Sequence, residues 1–286
     1  MTDSKKPGDL EVAVDHVVVN VLDRLDQARD QYRRLGFHLT TRGHHSLGSS
    51  NHLAIFTSNY FELLGYEPGA ETRRADLLRA PAGLTGLVFR LPAPDARQRD
   101  LQRRGVPIEP AKEFNRPVLL ADGPHDARFR VIDVSNGFIP YGRVFFCHHY
   151  TPELVWRRED QQHPNAVTDV AALVMESNDP ARMAAAYRQM FGDDLVKPEP
   201  GGFGFSAGAA RVSMLDHEAV KQRFGAAPPQ RPDGRDRMVG LVFRTASIEA
   251  AKACFIRGDL RYIPSPAGGV TIAPLSETDP ILSFVE

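Results

Sequence analysis

The pentapeptide Gly86-Leu87-Val88-Phe89-Arg90 returns intact as Gly240-Leu241-Val242-Phe243-Arg244, so residue 86 is restated at residue 240. A repeat at that spacing constrains the fold more than any local propensity does, because each copy must form the same supersecondary unit. The same shift, within one residue, sets Asp15 on Asp169, Tyr32 on Tyr187, and the helix-ending Leu35-Gly36-Phe37 near Met190-Phe191-Gly192. The chain therefore reads as two halves, 11–157 and 166–286, joined by the polar stretch Arg157 to Asn165. At 286 residues there is enough chain for two cores of ordinary domain size.

Each half divides again into two segments that open with an apolar strand and run into a helix. In the first, Val14 to Val21 precedes a helix on which Leu25, Ala28, Tyr32 and Leu35 share one face, and Gly36 ends it. The second opens with Leu84 to Leu91 and continues through a helix from Asp95 to Arg104. Strands over 168–176 and 238–245, with helices over 180–191 and 247–257, repeat the plan. Short β runs broken by Gly, Pro, Asn and Asp follow the helices, for example His52 to Phe56, then Asn59 to Leu64. The expected fold is α+β: four βαβββ units forming two tandem half-barrel modules, each able to enclose a cleft. The segment from Asp216 to Asp236, with Ala226-Ala227-Pro228-Pro229, is expected to be a surface loop or a lid.

Composition narrows the function classes. A formal charge of -1 with 25% charged residues gives no polyanion-binding surface, so nucleic acid is not an expected partner. No apolar run is long enough for a membrane span, and the opening Met-Thr-Asp-Ser-Lys-Lys-Pro lacks the apolar core of an export signal. The expected location is the cytoplasm. Cys147 and Cys254 lie far apart in strand-like and helix-like contexts, as reduced buried thiols would.

Two strands carry a metal-capable side chain among apolar neighbours: His16 in Val14-Asp15-His16-Val17-Val18, and Glu62 in Tyr60-Phe61-Glu62-Leu63-Leu64. Burying either is costly unless something compensates it, and a divalent metal is a common compensation. Alternation puts His16, Val18 and Asn20 on one face of their strand and Tyr60, Glu62 and Leu64 on one face of theirs. Both candidates can then point into the first cleft. The last strand of that half, Arg143 to Tyr150, adds two imidazoles, of which only one can face the cleft. His149 goes with Cys147 and Phe145, His148 with Phe146 and Val144, and the sequence leaves the parity open.

Together, Val-Asp-His-Val-Val around His16, the segment Gly43 to His52, and Tyr60 to Leu64 resemble a glyoxalase-like domain of the vicinal-oxygen-chelate superfamily. The stretch Phe145 to Trp156 is similar to the end of that domain in larger tandem members. The resemblance implies a divalent metal cupped by paired βαβββ units, with ligands on the first and last strands of each. Carried over, it makes His16 and Glu62 ligands of the first unit, with His149 near the last-strand position of the second. The strand Leu84 to Leu91 departs from the pattern by offering no ligand. The implied set is two His and one carboxylate, which suits Fe, Mn, Zn or Ni with positions left open for substrate oxygens.

The loop from Gly43 to His52 adds His44, His45 and His52 among Gly, Ser and Asn. By family position His45 is the candidate acid or base. Asn51, Tyr60 and Arg90 are candidate substrate contacts, Arg90 for an anionic group, although its repeat partner Arg244 also suits a structural role. Glutathione is not expected, since no basic pocket can be placed. In the second half His16 maps to Val170, and Glu62 to the neighbourhood of Ser213, Met214 or Asp216, so no ligand pair survives. The roles open to that half are bracing the first, closing its cleft, or pairing with a second copy as a homodimer. Three functions follow as expectations: a metal-dependent lyase or isomerase on a small oxygenated molecule, a ferrous extradiol-type dioxygenase, or a non-catalytic protein that sequesters a small molecule.

Overall fold

A computed structural model describes residues 11–69, 74–139, 141–226, 228, 235–266, 268–276 and 279–286. The first half contains β1 (Val14–Leu22), α1 (Leu25–Arg34), β2 (Gly43–His44), β3 (Ser50–Ile55), β4 (Tyr60–Gly65) and α2 (Ala75–Arg79). It continues with β5 (Gly83–Arg90), α3 (Pro94–Arg103), β6 (Lys112–Leu120), β7 (Gly123–Asp133) and β8 (Arg143–His149). The second half runs β9 (Val167–Glu176), α4 (Pro180–Phe191), β10 (Lys197–Glu199), β11 (Gly202–Ala207), β12 (Ala210–Leu215) and α5 (His217–Phe224). Then come β13 (Arg237–Thr245), α6 (Ile248–Arg257), β14 (Ile263–Pro264), β15 (Val270–Ile272) and β16 (Ile281–Val285).

The four βαβββ units form two eight-stranded mixed sheets with identical connectivity. Their orders are β2-β3-β4-β1-β5-β8-β7-β6 and β10-β11-β12-β9-β13-β16-β15-β14. Each unit closes by pairing its first strand parallel to its last, as β1 with β4 and β5 with β8, and the two first strands pair antiparallel. The first sheet curls until the turn after β2 reaches β6, where the Ser46 amide donates to the Asn115 carbonyl at 2.9 Å. Among the described residues no helix is long and apolar enough to cross a membrane.

Local sequence explains the boundaries. Asp179, Asp216 and Ser247 cap α4, α5 and α6 by accepting from the amides of Arg182, Ala219 and Ala250. The apolar faces of α1, α3, α4 and α6 and the backs of both sheets merge into one core that draws on both halves. Phe37 packs against Phe243 with ring centroids 5.0 Å apart, and Phe89 against Phe191 at 4.9 Å. Cys147 and Cys254 are both buried free thiols.

The register refines the repeat. Gly86 pairs with Val18 and Gly240 with Val174, so Val174 is the counterpart of Val18, and Ala172 rather than Val170 is the counterpart of His16. Both first strands bulge at the same place: pairing skips Asp15 between Val14 and His16, and skips Ala171 between Val170 and Ala172. Ala171, not Asp169, therefore stands where Asp15 does. Asp169 instead links the halves, accepting from the Ser58 amide at 3.0 Å and the Ser58 hydroxyl at 2.5 Å. Glu62 is level with Val18 and Ser213 with Val174, which makes Ser213 the counterpart of Glu62.

The segment after Asp216 is neither wholly loop nor lid. It begins with α5, whose Val220 and Phe224 are buried against Val174, Val239 and Ile281 on the cleft face of the second sheet. Residues 227 and 229–234 of that expected loop lie outside the described residues, as do residues 1–10.

Candidate metal and substrate site

The first cleft holds a cavity of about 320 Å³ lined by His16, His45, Asn51, Tyr60, Glu62 and Cys147 among others. Phe145 lines it, packed in one apolar cluster with Val18 and Val88. His16 and Glu62, from adjacent strands, both turn inward as alternation requires, and both are buried. His16 Nε2 and Glu62 Oε2 are 3.7 Å apart, too far for a hydrogen bond. With bonds of ~2.1 Å, two ligands of one tetrahedral ion stand about 3.4 Å apart. The gap therefore fits a shared ion.

The surroundings hold both ligand atoms in that geometry. The other ring nitrogen of His16, Nδ1, meets Asp15 Oδ1 at 2.7 Å, and the imidazole stacks on Tyr60 with centroids 4.3 Å apart. Carboxylate on one nitrogen and a free lone pair on the other is the arrangement that orients a metal-ligating histidine. Asn51 Nδ2 donates to Glu62 Oε1 at 2.7 Å and leaves Oε2 toward His16.

The β1 bulge is what brings Asp15 into this network. In a regular strand Asp15 would face away from His16; the skipped pairing lets its carboxylate reach two imidazoles. Oδ1 sits 3.0 Å from His149 Nε2, and Oδ2 lies 3.6 Å from Arg90 Nε. Burial by itself raises the pKa of this fully buried group, but the charges and hydrogen bonds of His149 and His16 outweigh it. Asp15 is held well below the usual carboxylate range and is ionised at neutral pH.

His149 is on the cleft-facing parity with Cys147, while His148 turns the other way and meets the Leu91 carbonyl at 2.8 Å. Its position along β8 nevertheless separates it from the His16–Glu62 pair. β1 and β5 pair antiparallel about Val17 and Leu87, with bulges at Asp15 and Thr85, so Gly86 is the counterpart of His16 and Val88 of Val18. Glu62 is level with Val18, and its counterpart is Phe145, level with Val88. His149 lies four residues further, roughly 13 Å along the strand. There it packs against Trp156 and Phe129 and lines a separate cavity of about 540 Å³ with Asp15 and Arg90. Among the described residues, Asp15, Cys147 and His149 are the one group of three potential ligands whose donor atoms lie within 4.8 Å of one another. Burial pushes the Cys147 thiol well up, with Asp15 and Glu62 adding to it, so it is neutral at pH 7.

The remaining expected residues divide between the two cavities. His45 faces the first: Nδ1 meets the Ser49 hydroxyl at 2.9 Å and Nε2 the Asn51 amide nitrogen at 3.3 Å. Burial lowers its pKa to about 4, against the opposing pull of Glu62, so the ring is neutral at pH 7. Asn51 and Tyr60 also line the first cavity, where they hold Glu62 and His16. Arg90 does not; it donates to the Ser58 carbonyl and lies over Trp156 in the second. Arg74, Lys112, Arg116 and Arg143 line the first cavity as well, so it does contain basic groups. Arg116 gave no sign in sequence beyond its place in a β run, because its register is set by closure of the sheet.

Residues 14–191 match a family described as a glyoxalase-like domain. No curated protein matches the chain in sequence. Among solved structures, a hypothetical protein from Staphylococcus aureus is similar with a TM-score of 0.63 at 12% identity, covering 96% of this chain and 100% of that one. A mutant 4-hydroxymandelate synthase from Streptomyces coelicolor gives 0.57 at 10% identity, covering 96% and 92%. A xylose isomerase-like TIM barrel/4-hydroxyphenylpyruvate dioxygenase fusion protein gives 0.57 at 11%, covering 98% of this chain and 50% of the other. At these identities the likeness is one of fold.

Proposed function

Because the chain belongs to the glyoxalase-like domain family, we propose that it is a divalent-metal-dependent enzyme of that type, a lyase or isomerase acting on a small oxygenated molecule in the first cleft. The observation that carries this reading is the unbridged 3.7 Å gap between His16 Nε2 and Glu62 Oε2. These two residues would hold the ion, which when bound supplies Lewis-acid polarisation of substrate oxygens. Asp15 keeps the proton of His16 on Nδ1, and Asn51 fixes the Glu62 carboxylate. His45, neutral at pH 7, accepts a proton at Nε2, the atom that now faces the Asn51 amide. Apolar walls from Phe145 and Phe129 exclude water from that transfer. In this reading His149 acts through the Asp15 it shares with His16, as a positioning residue.

A ferrous dioxygenase is less well supported, since that chemistry calls for two His and one carboxylate on one ion, and His16 and Glu62 stand together without a second imidazole. A sequestering role without catalysis has one observation in its favour: the β8 position that corresponds to Glu62 is filled by Phe145, which offers no ligand atom. Adding Mn, Ni, Zn or Fe(II) to chelator-treated protein separates these readings. The enzyme reading expects at least one metal to raise the melting temperature of the unaltered chain, and neither His16→Ala nor Glu62→Gln to respond. If no metal shifts the melting temperature and elemental analysis finds none in protein purified without chelator, the sequestering reading replaces it.

A further inference from the structure

Arg116 is the basic group of the first cavity that has no ion-pair contact among the described residues. It sits on the inward face of β6, between Phe114 and Val118, and is 6% exposed. The other three basic residues of the cavity each contact a carboxylate. Arg74 pairs with Asp76 at 2.8 Å, while Lys112 and Arg143 share Asp133 at 3.3 and 2.9 Å. Among the described residues the Arg116 side chain has no hydrogen bond and no ion pair within 4 Å. A buried guanidinium without a partner is costly unless something arrives to meet it.

The backbone is shaped to admit this side chain. A Cβ at position 43 would stand 2.5 Å from Arg116 Cδ and 2.8 Å from its Nη1, so glycine there leaves the space the side chain occupies. Gly43 is in β2 and Arg116 in β6, the two outermost strands that meet when the first sheet curls. Closure of the sheet thus delivers the guanidinium to the cavity that His16 and Glu62 enter from the other side.

We propose that Arg116 anchors a carboxylate, so that the first cleft takes small monocarboxylic acids with an apolar body; this rests on that cleft being the substrate site. One guanidinium without an ion pair suits one carboxylate, whose two oxygens match its planar fork. A phosphate dianion would find one cation without a carboxylate contact and no second. The apolar remainder of such an acid would lie against Phe114, Phe129 and Val131, which line the same cavity.

The experiment uses chelator-treated full-length protein, so that it reads the anion subsite whether or not a metal binds. Benzoate, its uncharged amide benzamide, and inorganic phosphate are titrated in turn by calorimetry. Benzoate is expected to bind at least tenfold more tightly than either of the others. Arg116→Gln should weaken benzoate at least tenfold while leaving benzamide unchanged, Arg116→Lys should fall between, and Glu62→Gln should keep benzoate binding. Equal affinity for benzoate and benzamide, phosphate binding as tight as benzoate, no benzoate binding, or full benzoate binding by Arg116→Gln would each overturn the proposal. Should Arg116→Gln not fold, the three-ligand comparison on the unaltered chain decides alone. Failure of the metal reading shows separately, as absent metal response with benzoate binding intact.

Discussion

The two modules share strand order, pairing sense and even the position of the first-strand bulge, yet their clefts have opposite contents. In the first, the bulged strand and its parallel partner bring Asp15, His16 and Glu62 together around a cavity. At the same register positions the second has Ala171, Ala172 and Ser213, and Phe224 of α5 packs onto the cleft face. A Cβ on Gly240 would stand 2.4 Å from the Phe224 ring. The fold is therefore complete without an ionisable cluster, and the second module fills the same concavity with apolar side chains. What the first module places there is retained at an energetic cost, since three ionisable groups are buried where hydrophobic packing is available.

That contrast can be broken most forcefully from the packed side. Phe224→Ala should destabilise the chain by about 3–5 kcal/mol, the usual loss for a buried aromatic, seen as a lower urea midpoint. On the polar side the large effect is on the ion. Glu62→Gln should weaken metal binding at least about a hundredfold, measured by competition with a chromogenic chelator, whereas Ser213→Ala should leave it unchanged. A smaller loss, about 10- to 100-fold, is expected for Asp15→Asn, which touches His16 but not the ion.

The smallest effect is on acid stability. Burial holds His45 neutral in the folded chain down to about pH 4, whereas the unfolded chain protonates it near 6.5. Its contribution is present in full above 6.5 and lost as pH falls toward 4. Asp15, depressed in the fold, acts at lower pH in the same sense, its contribution lost as pH falls below the ordinary carboxylate range. His45→Gln should flatten the decline in melting temperature between pH 6.5 and 4, with His163, also lowered to about 4 by burial, keeping the rest.

Much of this was legible in the sequence. The repeated Gly-Leu-Val-Phe-Arg located both central strands, apolar periodicity located the long helices, and period-two alternation turned His16 and Glu62 into one cleft. Alternation failed where strands are irregular or where sheet closure decides. Asp15 enters the site only through a bulge that no residue type signals, and which position of β8 corresponds to Glu62 follows from pairing across four strands. Arg116 and Phe224 come to their clefts through closure of a sheet and docking of a short helix, contacts between segments distant in sequence. The Asp15–Asp169 correspondence shows the same limit, for a shift fixed by one motif slipped by two residues at the strand that mattered.

The central claim is that the first cleft holds an ion between His16 and Glu62. A crystal of the full chain soaked in Mn(II), with anomalous data collected near the manganese edge, tests it most directly. The account predicts one anomalous peak per chain, within bonding distance of His16 Nε2 and Glu62 Oε2, and none in the second module. A peak among Asp15, Cys147 and His149 instead, or no peak at all, would contradict it.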